Sequence, residues 1–115
     1  MADITLNQSE WNALSADVRA RITEILEQVG LLKDGDRIVT APDAPTFADI
    51  AALKLPALTH NVCMTLCDVA QGAAHVACAL LPDPMSIAAC NAAAVAAGNA
   101  CRRSCKPAPA PATGP

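Results

Sequence analysis

Apolar side chains recur at Leu14, Val18, Ile22, Ile25 and Val29, three and four residues apart, the period of one face of an α-helix. Gly30 follows directly, where a glycine in the left-handed region stops a helix. Upstream, Asn7 and Glu10 have the N-cap and N3 spacing of a capping box. Leu6 and Trp11 flank them at the staple positions, so Leu6 is expected to bury Trp11 in part. Ser15 offers a second helix start. Two short apolar runs, Leu31-Leu32 and Ile38-Val39, bracket Asp34-Gly35, a pattern that predicts a small β-hairpin. The prolines at Pro42 and Pro45 mark a linker. Phe47 to Leu55 predicts a short helix ended by Pro56.

The pattern then changes. Residues 59–81 predict one long helical arm, with Thr59 or Asn61 as N-cap. Leu81-Pro82-Asp83-Pro84 is a turn, in which Asp83 suits the N-cap and Pro84 the first position of a second arm reaching Cys105. The tail from Lys106 alternates proline and alanine and is expected to be extended. The expected fold class is mainly α. Residues 1–40 form an acidic helical leader-like unit that behaves separately, and residues 41–58 a linker with a short helix. Residues 59–105 form a cysteine-stapled antiparallel hairpin, and residues 106–115 a Pro/Ala tail.

Composition sharpens this division. The chain is 53% hydrophobic but 2% aromatic, so its apolar content is largely alanine and a bulky core is out of reach. With only 115 residues, such a chain needs staples or partners to hold its shape. Residues 1–59 hold nine acids and five bases, net −4; residues 60–115 hold two acids and three bases, net +1. Trp11 and Phe47 lie in the first part and all six cysteines in the second. The acidic balance argues against nucleic acid as a partner, and with it against a winged-helix reading of the Val18–Val29 helix. Acidic residues interrupt the N-terminus, which does not read as a secretory signal. The alanine-rich stretch around Ala88–Ala100 is too weakly apolar for a membrane span.

The six cysteines are Cys63, Cys67, Cys78, Cys90, Cys101 and Cys105. Taken from the outside inward they form three pairs with one shared midpoint, residue 84, inside the turn located from Pro and Asp alone. Residues equidistant from the turn of an antiparallel hairpin face each other. At about 100° per residue the cysteines of each arm fall within a stripe roughly 60° wide. Small residues, Ala70 and Ala74 on one arm, Ala94 and Gly98 on the other, occupy the same stripe. They let the arms approach closer than the usual 8–10 Å or so, as a disulfide Cα separation of about 4.4–6.8 Å demands. The expected bridges are Cys63–Cys105, Cys67–Cys101 and Cys78–Cys90, the outermost worth about 2–4 kcal/mol because it closes the longest loop. Two other states stand beside this one: free buried cysteines acting as small apolar residues, and thiolates holding zinc or Cu(I).

Cys63-x3-Cys67 and Cys101-x3-Cys105 resemble the paired C-x3-C motifs of α-hairpinin antimicrobial peptides and of the twin C-x3-C chaperones of the mitochondrial intermembrane space. Cys78 and Cys90 depart from both patterns. The layout of an acidic leader before a cysteine-rich block is similar to that of cysteine-rich bacteriocin precursors of the halocin or fulvocin kind. The resemblance implies a precursor whose residues 1–40 are recognised by maturation or export machinery. Its secreted hairpin would act on a membrane or receptor. Off the cysteine seam, Val62, Leu66, Val69, Val76 and Leu80 form an apolar surface that a lone hairpin leaves open, with Arg102, Arg103 and Lys106 as a basic cluster at its end. This surface is the expected membrane or partner face, covered before release by the Val18–Val29 helix. An uncleaved structural or chaperone-like hairpin protein is the alternative, and a thiolate metal-binding protein the third reading. No phosphate-binding glycine loop, zinc-protease or serine-hydrolase motif occurs, so no catalytic residue and no cofactor is expected. No double-glycine processing site is present.

Overall fold

A computed structural model of the chain describes residues 3–33, 35–52 and 62–105, with residues 51 and 52 as backbone alone. In chain order the elements are β1 (Asp3–Asn7), α1 (Gln8–Asn12), α2 (Ala16–Gln28), β2 (Arg37–Ala41), α3 (Phe47–Ala52), α4 (Val62–Cys78) and α5 (Pro84–Ser104). The protein is mainly helical, with one two-stranded sheet.

The helix starts and stops follow their local chemistry. The Asn7 side chain accepts a bond from the Glu10 N–H at 3.1 Å, and Ser15 Oγ one from the Val18 N–H at 3.2 Å. Gly30 has φ +87°. The Leu31 N–H bonds the Leu26 carbonyl and the Gly30 N–H the Glu27 carbonyl, the two bonds of a Schellman motif. Ile22, Ile25 and Leu26 of α2 are buried, as are Leu14, Trp11 and Leu6. Glu10 completes only half of a capping box. Its carboxylate takes the Phe47 N–H at 2.6 Å instead of returning to Asn7, so it anchors the start of α3. The Asn7 amide meanwhile donates to the Ala44 carbonyl.

The expected β-hairpin around Asp34-Gly35 is not formed. A turn is there, with the Asp36 N–H bonded to the Lys33 carbonyl and Gly35 at φ +88°, but it does not join two paired strands. Leu31 and Leu32 fold back on the end of α2 and enter the core, the N–H of each bonded to Leu26. The partner of β2 is β1, parallel, with Ile4 beside Ile38 and Leu6 beside Thr40. β1 escaped the sequence reading because only Ile4 and Leu6 alternate within it. A parallel pair needs a crossover, which α1 and α2 supply.

The second half forms the expected hairpin. Asp83 caps α5, its carboxylate accepting from the Ser86 N–H and Ser86 Oγ at 2.9 Å each, and Pro84 opens the helix. The proposed N-caps Thr59 and Asn61, the Pro56 stop and the tail from Lys106 lie outside the described residues. α5 is the centre of the molecule. It packs on α4, α3, β1 and α2, and Ala89, Cys90, Ala92, Ala93, Ala94, Ala97, Gly98 and Ala100 are all buried. Buried positions cover more than half of its circumference, at about 100° per residue. Alanine suits this place because a helix touched on several sides has no room for long side chains. One cluster of buried residues therefore runs from Ile4 to Ala100.

Candidate functional site

All three expected cross-links are present: Cys63–Cys105, Cys67–Cys101 and Cys78–Cys90, with Cα separations of 5.7, 5.8 and 5.5 Å. No cysteine is free. Ala74, Ala94 and Gly98 are buried along the same seam, as the close approach of the arms requires. The two outer bridges touch: Cys67 Sγ lies 3.8 Å from Cys105 Sγ. The sulfurs of Cys63, Cys67 and Cys105 lie within 4.8 Å of one another. Oxidised sulfur lacks the thiolate charge that binds zinc or copper, so in this state the cluster is a staple. Three disulfides fit an oxidising, extracellular-type setting.

Beside the seam runs a ladder of polar side chains. Arg102 reaches across to Asp68 at 2.7 Å and also donates to Gln71 Oε1 and Asn99 Oδ1 at 2.7 Å each. Gln71 Nε2 lies 3.2 Å from His75 Nε2, and His75 Nδ1 lies 2.8 Å from Asn91 Oδ1. The oxygen of Gln71 is taken by Arg102, so its amide N–H faces His75. His75 Nε2 then accepts, and the ring proton sits on Nδ1 and donates to Asn91. Gly98 makes room for this ladder, since a Cβ there would collide with the Gln71 carboxamide.

The residues expected to form an outward surface divide into two groups. Val62, Leu66, Val69, Val76 and Leu80 are exposed, between 63% and 80%. The Val18–Val29 helix does contact the hairpin but does not cover these five. The end of α2 instead lines one wall of a groove beside them, with Val29 and Gly30 facing Val62, Leu66 and Val69. Arg102 is turned inward to the ladder, its side chain 17% exposed. Arg103 is exposed and borders a cleft with Asp3, Ile4 and Ile50. Lys106 is outside the described residues. The ladder itself was missed in the sequence. Its signal was the placement of Asp68, Gln71 and His75 opposite Arg102, Asn99 and Asn91 about the turn that also relates the cysteines.

Among the described residues no helix is long and apolar enough to cross a membrane. Compared with known protein families, with curated proteins and with solved structures, the chain finds no match.

Proposed function

We propose that the chain is the precursor of a ribosomally made, cysteine-rich antimicrobial peptide of the bacteriocin type. Its active part is the hairpin of residues 59–105. The observation that supports this reading is the reach of the cross-links. All three begin and end within residues 63–105, so the hairpin keeps its covalent frame whatever happens to the N-terminal half. An oxidised hairpin resists unfolding, hence digestion, as a released effector must. Residues 1–40 act as the leader, read by maturation or export machinery. In the whole chain the N-terminal elements also lie on α5 and shield its alanine face. The product is secreted into an oxidising setting.

The test is a comparison of an oxidised 57–115 peptide with the full-length chain for growth inhibition and vesicle leakage, together with intact mass of the material made by producing cells. The expected result is a C-terminal fragment lacking six hydrogens, and activity confined to it. A second reading, an uncleaved structural or chaperone-like hairpin protein, is favoured by the core that runs without a break from Ile4 to Ala100. It is adopted if no cleaved form is found and both species are inert.

A further inference from the structure

The exposed face of α4 has an order of its own. Val62, Leu66, Val69, Ala73 and Val76, with Leu80 just past the helix end, follow one another at spacings of four, three, four, three and four. This is the a/d spacing of a coiled-coil seam. All six are exposed, the five larger ones between 63% and 80%. On a helix they fall within about 80° of arc, roughly a third of a turn away from the cysteine seam. Among the described residues outside the hairpin, only Val29, Gly30 and Lys33 border them, along one side of the groove, and none covers them. The six form one contiguous apolar stripe, the kind of exposed patch that marks an interaction surface.

Two further features point to the occupant. First, the stripe is self-complementary in the antiparallel sense. Paired about residue 71, Val62 meets Leu80, Leu66 meets Val76, and Val69 meets the small Ala73. A two-fold axis crossing the stripe between Val69 and Ala73 would therefore set each larger side chain opposite a smaller one, as an isologous interface demands. The α4 positions flanking the stripe, Thr65, Gly72 and Ala79 on one side and Cys63, Ala70 and Ala77 on the other, carry no charge, and Lys33 is the charged residue at the border of the groove. Second, Gly72 sits in the middle of α4, where glycine weakens a helix. A Cβ there would meet nothing within 4 Å among the described residues, so their packing does not call for a glycine. Beside the proposed axis its missing side chain lets two backbones come close. We infer that the whole chain forms a two-fold dimer through an antiparallel α4–α4 contact. This inference does not rest on the precursor reading and stands or falls apart from it.

Sedimentation of the full-length oxidised chain over a concentration series tests it. A concentration-dependent dimer is expected. Leu66→Glu or Val76→Lys alone should weaken it by about tenfold or more. Both changes in one chain should restore it, because the axis sets position 66 of one copy against position 76 of the other. Gly72→Gln should weaken the dimer while leaving the monomer as thermally stable as before or more so. Circular dichroism and a mass showing three intact disulfides establish that each variant folds. A chain that stays monomeric throughout overturns the proposal. So does a dimer indifferent to the single changes, or one that the double change fails to restore. A monomer that instead binds phosphatidylglycerol vesicles through the same residues assigns the stripe to a membrane and likewise overturns it.

Discussion

Single atoms decide how closely the arms of the hairpin meet. At Gly98 an added Cβ would displace the Gln71 carboxamide, which bonds Arg102 and faces His75. Losing these contacts costs about 1 kcal/mol each, against about 0.5–1 kcal/mol regained by removing a mid-helix glycine. Gly98→Ala should thus destabilise by about 1 kcal/mol in urea unfolding, and become neutral or stabilising in a Gln71→Ala background. Asp83 acts through charge. Bonds from the Ser86 N–H first, then from the Ser86 hydroxyl, and last from the Met85 N–H hold its carboxyl below the ordinary aspartate value of 3.8, against a small opposing effect of burial. A depressed folded pKa means stability that is fully present above 3.8 and is lost as pH falls through the lower folded value. Asp83→Asn keeps a neutral cap and lacks this acid-side loss. The stability gap between wild type and variant should therefore hold steady through neutral pH and narrow only below 3.8, as read by melting temperature.

Among the elements, α4 and α5 depend on each other through nested bridges. The loops closed in isolation differ greatly, with sequence separations of 42, 34 and 12. Nesting removes most of that difference. With Cys67–Cys101 intact, opening Cys63–Cys105 frees only the short ends beyond it. Replacing any one cysteine pair by serines should then cost about 2–3 kcal/mol, nearly the same for the outer and inner bridges. Loop length alone had pointed to the outermost as the strongest. Chemical denaturation of the three double variants measures this, and costs that scale with 42, 34 and 12 would disprove the nesting argument. α3 shows the opposite dependence. It is only six residues long, below the length at which a helix persists alone. It stands because Glu10 caps its first turn and its buried Phe47 and Ile50 join the core beside α5.

For the molecule as a whole, the central fact is that an alanine helix is the hub. Each alanine buries little apolar area, at roughly 25 cal/mol per Å², so the hairpin relies on its staples as well as on its core. The larger side chains, Leu6, Trp11, Ile22, Leu26 and Phe47, come from the N-terminal half. Because one buried cluster spans both halves, unfolding followed by Trp11 fluorescence and by helical circular dichroism should coincide in the full-length chain. Trp11 is 8% exposed, so its emission should be blue-shifted in the native protein. A Trp11 transition well separated from the loss of helix would show two independent units.

The helices, their caps and the pairing of the cysteines were legible in the sequence because each rests on short-range or symmetric rules. A cap needs three neighbouring residues, and the shared midpoint at Pro84 needs only counting. The exposed apolar face of α4 was legible for the same reason, since Val62, Leu66 and Val69 stand out from their neighbours. The tertiary structure alone decided the parallel pairing of β1 with β2, the contact of Glu10 with Phe47 and the inward turn of Arg102 onto Asp68. These join residues more than thirty positions apart, and no local pattern encodes such a contact. The tertiary structure alone also decided that α5 is central. Outside the Asn91, Asn99 and Arg102 side, a helix with alanine on most of its faces presents little contrast, so its sequence cannot say how many of them are covered. Only the shapes of the elements packed around it can.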